Sequence, residues 1–189
     1  MANDRRAVFF DLQGTLGGSA YGDITSFAFF DNAKEALRII QDCGYLLFII
    51  TNQSRIAKGI ISHDDFDHSA DRLISELRES GISVEKVFCC PHRKEDGCSC
   101  RKPKPYFPKI AAEEYGLNLS ECIFIGDIYH SDVEMARNVG SKAYLVMTGA
   151  GHASLEEMKL SPYERVVLTE NILSAAHEIE KEIRQEIKY

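Results

Sequence analysis

Four polar clusters in this sequence carry side chains that could do chemistry, and each follows or lies near an apolar run. A carboxylate can attack phosphorus or bind a hard cation, hydroxyl and amide groups can donate to phosphate oxygens, and a lysine can balance their charge. Each cluster alone also has a simpler interpretation, as a turn, a polar loop, a basic linker or a helix cap. The clusters are Asp11 with Gln13 and Thr15, TNQS at 51–54, CRKPKP at 100–105 and GDIYHSD at 126–132.

Short apolar runs alternate with helical patterns, which predicts an α/β fold with a doubly wound, mostly parallel sheet. Ligands of such sheets bind beyond the carboxyl ends of the strands, so the polar clusters are expected to meet there. The predicted strands are AVFF before Asp11, YLLFIIT at 45–51, VFCC at 87–90, CIFIGD at 122–127, AYLVM at 143–147 and RVVL at 165–168.

Apolar spacing and end signals predict the helices between these strands. One helix presents Ala33, Leu37 and Ile40 on one face, and a second is opened by Ser62 and closed by Gly81. Two more are expected to start near Pro105 and Asp132 and to end at Gly116 and Gly140, where a C-terminal glycine is favoured. A last helix at about 170–187 carries the stripe Ile172, Ala176, Ile179, Ile183 and Ile187.

Length and composition narrow the class of protein. The 189 residues predict a single domain over 1–189, and the formal charge of −7 opposes non-specific binding to nucleic acid or to an anionic membrane. The N-terminus lacks signal-peptide features and no apolar run is long enough to span a bilayer, so we expect a cytoplasmic protein. We also expect a monomer, although the apolar stripe of the last helix could pack on a partner.

Four potential metal ligands are closely spaced in CCPHRKEDGCSC. Cys90 and His92 form a Cys-x-His pair, and Cys98 with Cys100 forms a Cys-x-Cys pair. Three thiolates and one imidazole complete a tetrahedral set with no open position, which predicts a structural Zn²⁺ in a loop at 89–101. A disulfide or unrelated side chains are the alternatives. Cys89 is expected to point away from this set, and Cys43 and Cys122 are expected to be inert core residues.

In their order along the chain, these clusters resemble the haloacid dehalogenase (HAD) superfamily. TNQSRIAKG, the Cys-His-Cys-Cys loop and CRKPKP are similar to its branch of histidinol phosphatases and heptose-bisphosphate phosphatases, over about residues 7–150. The resemblance implies a Mg²⁺-dependent phosphatase of a small phosphorylated metabolite, most simply a sugar phosphate such as heptose bisphosphate. It also implies an aspartyl-phosphate intermediate, and a zinc loop in place of a large cap domain.

The resemblance assigns roles to individual residues, which phosphoryl transfer makes chemically reasonable. Asp11 is the expected nucleophile, and Mg²⁺ is expected on Asp11, Asp127 and the backbone carbonyl of Gln13, with Asp132 acting on that site without coordinating the metal. Lys102 is expected to neutralise phosphate charge as a catalytic residue, together with Thr51. The residues expected to bind substrate are Thr15, Thr51, Asn52, Arg101 and Lys102.

Gln13 departs from the family pattern, because phosphatases of the family carry an Asp there as general acid and base. An amide passes no protons, and losing that catalysis costs about 10²–10⁴ in rate. Three hypotheses remain. Gln13 orients water in a slow phosphatase that prefers good leaving groups, or His130 supplies the proton, or the chain binds a sugar phosphate or a protein partner without turnover.

Other features have weaker functional interpretations. Arg55 stands where relatives often have Gly, so the identity of the substrate is not determined by the sequence. A nucleic-acid end-processing phosphatase is disfavoured by the acidic charge and by the lack of an aromatic-basic stripe. His63, His68, His152 and His177 are expected to be solvated at the surface.

Overall fold

The computed structural model describes residues 5–186, and its centre is a six-stranded parallel sheet. The strands lie in the order β3-β2-β1-β4-β5-β6, so the chain winds outward from β1 first in one direction and then in the other. This confirms the predicted doubly wound α/β class. The strands are β1 (Ala7–Phe10), β2 (Leu46–Asn52), β3 (Val84–Cys90), β4 (Ile123–Gly126), β5 (Lys142–Val146) and β6 (Val166–Thr169).

Seven α-helices accompany the sheet in the described part of the chain. They are α1 (Ala33–Asp42), α2 (Ser54–Ala57), α3 (His63–Glu79), α4 (Tyr106–Tyr115), α5 (Glu134–Arg137), α6 (Gly151–Leu160) and α7 (Ile172–Glu186). None of the helices within 5–186 has the length and apolar character needed to cross a bilayer.

Alternation of side chains along the strands divides the core into two layers. Val8 and Phe10 of β1 face one side, where α1, α3 and α7 cover the sheet, and Ala7 and Phe9 face the other, against α4 and α5. On that second side the Phe9 ring stacks on the rings of Phe48 and Phe124, with centroids 5.2 and 4.9 Å apart. Both faces of the central strands are therefore buried, which explains why their sequences are continuously apolar.

Most predicted helix ends are confirmed. Ser62 caps α3 in a reciprocal capping box with Asp65, and Gly116 takes a left-handed conformation after α4. The helix expected to start near Asp132 begins earlier, as a π-helical turn over Tyr129–Val133 that continues into α5. Helix α6 was not predicted, because its few apolar residues form no clear stripe. Ile187, the last member of the predicted stripe on α7, lies outside the described residues.

Candidate active site

The carboxyl ends of the central strands bring together residues that are far apart in the sequence. Asp11 follows β1 and Asp127 follows β4, and these two strands are neighbours in the sheet. The Asp11 N–H still donates to the Ile125 carbonyl at 2.9 Å, so the strand pairing itself fixes the backbone at Asp11. Thr51 and Asn52 end β2 on the other side of β1. The predicted convergence at this edge of the sheet is present.

Three carboxylates and one ammonium group form the centre of this site. Asp11, Asp127 and Asp132 each place an oxygen within 4.8 Å of the other two. The Lys102 Nζ lies 2.5 Å from Asp11 Oδ1 and 2.7 Å from Asp132 Oδ1, and the residue is 5% exposed. One positive charge thus faces three acidic groups, which leaves an excess of negative charge in a buried place.

Burial and repulsion from neighbouring carboxylates make Asp11 and Asp127 hard to ionise. Desolvation raises the pKa of Asp11 to about 6, against the attraction of Lys102, and Asp132 adds to the rise. Desolvation, with repulsion from Asp11 and Asp132, raises the pKa of Asp127 to about 8. A divalent cation would relieve both effects, and hard oxygen donors of this kind fit Mg²⁺. The residues present therefore suit such an ion.

Backbone from two loops packs closely around the Asp127 carboxylate. The Ala150 N–H donates to Asp127 Oδ2 at 2.7 Å. Gly14 and Gly149 both have positive φ, and a Cβ at either position would lie within 2.4 Å of Asp127 Oδ2. Only glycine permits this approach at these two positions, so the loops after β1 and β5 hold the carboxylate between them.

Thr15 does not occupy the position expected of a substrate ligand. Its hydroxyl is fully buried and lies 3.4 Å from Asp11 Oδ2 and 3.2 Å from Asp127 Oδ1, and the residue does not line the cavity. The hydroxyl has one hydrogen to donate, and both neighbours are acceptors. Its geometry suits orienting the carboxylates, because a hydroxyl committed to them is not available to a phosphate.

A cavity of about 410 Å³ opens above Asp11. The other predicted residues Thr51, Asn52, Arg101 and Lys102 all line it. Asn52 accepts from the Lys102 N–H at 3.1 Å and so ties the Lys102 loop to the end of β2. The structure thus brings all the predicted catalytic and substrate residues to this site, and all of them except Thr15 line the cavity.

The mouth of this cavity is strongly basic in a chain that is acidic as a whole. Arg101 donates to the His92 carbonyl at 3.1 Å, and Lys104 donates to the Gly97 carbonyl at 3.0 Å. Neither has a carboxylate partner within the described part of the chain. Arg55, in contrast, contacts Asp23 at 3.4 Å. The cations that line the mouth are Arg55, Lys58, Lys94, Arg101 and Lys104.

Gln13 is held by hydrogen bonds at both ends of its amide. Its Nε2 donates to the Gly22 carbonyl at 2.7 Å, and its Oε1 accepts from Gln53 Nε2 at 2.8 Å. Gln53 Nε2 also donates to Thr51 Oγ1 at 2.9 Å. Sequence reasoning missed Gln53, because a polar residue in TNQS gives no sign of its partner 40 positions earlier. The Gln13 amide therefore joins the loop at Gly22 to the floor of the site.

His130 lies at the mouth of the cavity and points to a carboxylate of α6. Its side chain is 62% exposed, and its Nδ1 lies 2.9 Å from Glu157 Oε2. This contact directs the ring toward α6. The hypothesis that His130 supplies a proton gains no support from this arrangement.

The cysteine cluster lies beside the same cavity. Cys90 ends β3, and the loop after it returns through the turn at Lys94–Asp96. The sulfur atoms of Cys90, Cys98 and Cys100 lie 3.4–3.7 Å apart, and His92 Nδ1 lies 3.3 Å from Cys100 and 3.7 Å from Cys90. Tetrahedral Zn²⁺ sets its sulfur and nitrogen ligands about 3.5–3.8 Å apart. These four residues could therefore hold a zinc ion with little movement.

The remaining cysteines do not join this cluster. Burial raises the pKa of Cys89 to about 12 and that of Cys122 to about 11, so both stay protonated thiols packed among apolar residues. Cys43 caps the end of α1 and is only partly buried, so it is less of a core residue than predicted. His63, His68, His152 and His177 are exposed, as expected.

Comparisons with known proteins agree on one family. Residues 99–172 match the family model described as HAD-hydrolase-like. The chain is 33% identical over 156 residues to D-glycero-beta-D-manno-heptose-1,7-bisphosphate 7-phosphatase of Haemophilus influenzae, covering 76% of this chain and 83% of that protein. It is 29% identical over 188 residues to D-glycero-alpha-D-manno-heptose-1,7-bisphosphate 7-phosphatase of Photorhabdus laumondii, covering 94% and 98%.

A solved structure shares the fold over nearly the whole chain. It is D,D-heptose 1,7-bisphosphate phosphatase from B. bronchiseptica complexed with magnesium and phosphate. The TM-score is 0.85 at 24% identity, with 94% of this chain and 99% of that chain covered. At this identity the match supports the architecture described above.

Proposed function

Because the chain belongs to the HAD superfamily, in its branch of heptose-bisphosphate phosphatase-like enzymes, we propose that this phosphatase hydrolyses a small sugar phosphate such as heptose bisphosphate. The observation that carries the proposal is the position of Asp11, which lies beside Lys102 at the floor of a basic cavity. A carboxylate here can attack phosphorus in line while the ammonium group balances the equatorial oxygens.

The proposed metal site uses Asp11, Asp127 and the backbone carbonyl of Gln13. Mg²⁺ held there would neutralise the phosphate and the clustered carboxylates. Asp132 acts indirectly: it accepts from the Ile128 N–H at 3.0 Å and ion-pairs with Lys102, which keeps the ammonium group at Asp11. Thr15 orients Asp11 and Asp127 from below.

The proposed phosphate contacts come from β2 and from the Lys102 loop. The Thr51 hydroxyl accepts from Gln53, so its own hydrogen is free to donate to a phosphate oxygen. Lys102 adds charge, and the Asn52 side chain holds its loop in place. Asp11 then forms an aspartyl phosphate, which water hydrolyses in a second step.

The basic mouth favours a substrate with a second anionic group. Arg101 and Lys104 keep their charge available because, among residues 5–186, their hydrogen-bond partners are backbone carbonyls and not carboxylates. Lys58 and Lys94 add two more cations. A sugar bisphosphate, like those acted on by the relatives named above, would place one phosphate on Asp11 and the other at this mouth.

The proposed Zn²⁺ at Cys90, His92, Cys98 and Cys100 is structural. Arg101 and Lys102 follow Cys100 directly, so a fixed metal cluster would also fix the loop that carries both cations. The cytoplasmic location, the monomeric state and the single domain over 1–189 remain predictions.

A second candidate function follows from Gln13, which offers no acidic proton. A protein with this site could bind a sugar phosphate without turning it over. Phosphate release decides between the two functions. The unmodified protein would be assayed with Mg²⁺ on heptose bisphosphate, histidinol phosphate and other small phosphate monoesters, beside Asp11→Asn.

Multiple turnovers that disappear in Asp11→Asn are the expected result. Release by neither protein, with phosphate compounds still raising the thermal stability of the unmodified protein, would instead favour the binding function.

A further inference from the structure

The side of the site where a leaving group must depart lacks an available proton donor. Within the described residues, the side chains that line the cavity together with Asp11 include those of Gln13, Thr51, Asn52, Gln53 and Lys102. Four of them are amides or a hydroxyl, which are far too weakly acidic to protonate a leaving oxygen at neutral pH. The fifth, Lys102, carries protons but also two close carboxylate partners.

Lys102 is committed to two carboxylates. Its Nζ lies 2.5 Å from Asp11 Oδ1 and 2.7 Å from Asp132 Oδ1, so its protons point to these partners and not to a leaving group. Transfer of a proton to a leaving group would also leave the three carboxylates without their internal counter-charge. Its geometry therefore suits a fixed cation.

The Gln13 amide is committed to a structural role. Its nitrogen donates to the Gly22 carbonyl and its oxygen accepts from Gln53, with both bonds under 3.0 Å and the residue only 8% exposed. An amide held in this way closes the loop at Gly22 over the site. Position 13, two residues after the proposed nucleophile, is therefore occupied by a group that neither gives nor takes a proton.

Groups at the mouth do not replace the missing acid. The His130 ring is paired with Glu157 on α6, and Tyr21 is 77% exposed at the rim. The remaining charged groups there, within the described residues, are the cations of the basic mouth, which can stabilise negative charge as it develops. The surroundings of the leaving group are thus rich in positive charge and poor in acidic protons.

We propose that this site expels its leaving group as an unprotonated oxyanion, and so selects phosphoryl compounds whose leaving oxygen is a weak base. The inference rests on the proposed phosphatase function and specifies its substrates. The class comprises acyl phosphates, aryl phosphates and phosphoanhydrides. Within a sugar bisphosphate, it favours the anomeric phosphate, because the anomeric hydroxyl is the more acidic one.

The reaction balances without a general acid. An Asp11 Oδ forms a bond to phosphorus while the bond from phosphorus to the leaving oxygen breaks, and that oxygen keeps the electron pair. Water then bonds to phosphorus, the bond to Asp11 breaks with its electron pair on the carboxylate, and both water protons leave with the phosphate as H₂PO₄⁻. No proton passes through residue 13 in either step.

The test compares three phosphate monoesters of similar size whose leaving groups differ in acidity: p-nitrophenyl, phenyl and benzyl phosphate. Rates of the first turnover are measured with Mg²⁺ for the unmodified protein, for Gln13→Asp and for Gln13→Asn. Asp and Asn have nearly the same shape, so their difference isolates the acid. Thermal unfolding of each variant checks that it is folded.

The expected rate for the unmodified protein falls steeply from p-nitrophenyl to benzyl phosphate. Gln13→Asp should raise the benzyl rate by about 10²–10⁴, and the p-nitrophenyl rate by less than about 10-fold, because only the poor leaving group needs protonation. Gln13→Asn should show no such selective gain.

Two results would overturn the inference and leave the phosphatase function intact. One is equal first-turnover rates for benzyl and p-nitrophenyl phosphate in the unmodified protein. The other is turnover of the three esters by Gln13→Asp alone, with the unmodified protein active only on sugar phosphates. If neither protein released phosphate from any ester or sugar phosphate, the proposed function itself would fail, and the inference with it.

Discussion

The reaction centre and the cysteine cluster lie at the same cavity but are built in different ways. Asp11 and Asp127 extend from paired central strands, and backbone hydrogen bonds and close glycine contacts hold them. Of the cysteine cluster, only Cys90 belongs to a strand, and the other three members lie in an irregular loop. That loop has little apolar packing of its own, and its central turn over Lys94–Asp96 has no buried residue.

The fold itself positions the reaction centre, whereas the structure of the cysteine loop depends on the cluster that it contains. The strand-end carboxylates are forced together before any ligand binds, at an electrostatic cost that a cation relieves. The loop would gain its rigidity from the proposed zinc ion. Removal of a carboxylate should therefore affect chemistry and spare the fold, whereas removal of a thiolate should affect both.

The largest effect is expected from Asp11→Asn. The substitution removes the proposed nucleophile and should lower phosphate release by about 10⁴-fold or more. It also removes one of three repelling carboxylates, so the thermal midpoint should not fall. Phosphate release and thermal unfolding are the measurements, with Asp71→Asn on the exposed face of α3 as the matched control. A large loss of stability in Asp11→Asn alone would contradict the view that the strands set this site.

The second-largest effect is expected from Cys100→Ser in the loop of the cysteine cluster. This change should lower the free energy of unfolding by on the order of 4 kcal/mol, since it would remove a ligand of the proposed zinc ion. Activity should fall as well, because Lys102 is two positions away. Metal content and thermal unfolding would be compared with Cys43→Ser, which alters a thiol outside the cluster. Undiminished zinc content in Cys100→Ser would contradict the proposal that this cluster holds the metal ion.

The pH dependence of Mg²⁺ binding tests the electrostatic cost of placing the carboxylates close together. Burial raises the pKa of Asp11 to about 6 and that of Asp127 to about 8, so the metal-free folded protein keeps protons that the unfolded chain has lost. Its stability should fall as pH rises from about 4 to 8. Mg²⁺ displaces these protons, so its affinity should rise over the same range, by up to about tenfold per pH unit for each proton displaced.

Titration calorimetry at pH 5, 6, 7 and 8 measures this effect, and Asp127→Asn provides the control. That variant should bind Mg²⁺ weakly and with a smaller pH dependence. An affinity for Mg²⁺ that is constant from pH 5 to 8 would show that the carboxylates are already ionised without the metal.

The smallest effect is expected from His130→Ala. The exposed pair with Glu157 contributes little, so the rate of phosphate release should change by no more than about 5-fold. Glu157→Gln breaks the same pair from the other side and should match it. A 100-fold loss in His130→Ala alone, together with an altered pH profile, would instead identify His130 as an acid.

The sequence predicted the strand-end residues well because their signals are local. A buried apolar run that ends in Asp11 or Asp127 marks both the strand and its functional end. The cysteine cluster was predictable for the same reason, since its four members lie within 11 residues. Gln53 was missed because its importance depends on a partner distant in the chain, Gln13. Helix α6 was missed because its few apolar residues form no clear stripe.

Thr15 shows a different limit of sequence reasoning. Thr15 is predicted to bind substrate because it has a hydroxyl group, but the residue type alone does not show which way a side chain points after a turn. The tight turn at Gly14 directs Thr15 into the protein, against the two carboxylates, and away from the cavity. The direction of the side chain depends on backbone dihedral angles, which the spacing of residues in the sequence does not reveal.

The order of strands in the sheet also determines at what point in synthesis the residues of the site can come together. β1 and β4 are neighbours in space, yet Lys102 lies 91 residues beyond Asp11 and Asp127 lies 112 residues beyond Thr15. During synthesis from the N-terminus, Asp11 therefore leaves the ribosome long before the groups that balance it. A nascent chain holds Asp11 without its partner carboxylate Asp127 until β4 pairs with β1. Pairing of β4 with β1 is thus the folding step that brings the carboxylates of the site together.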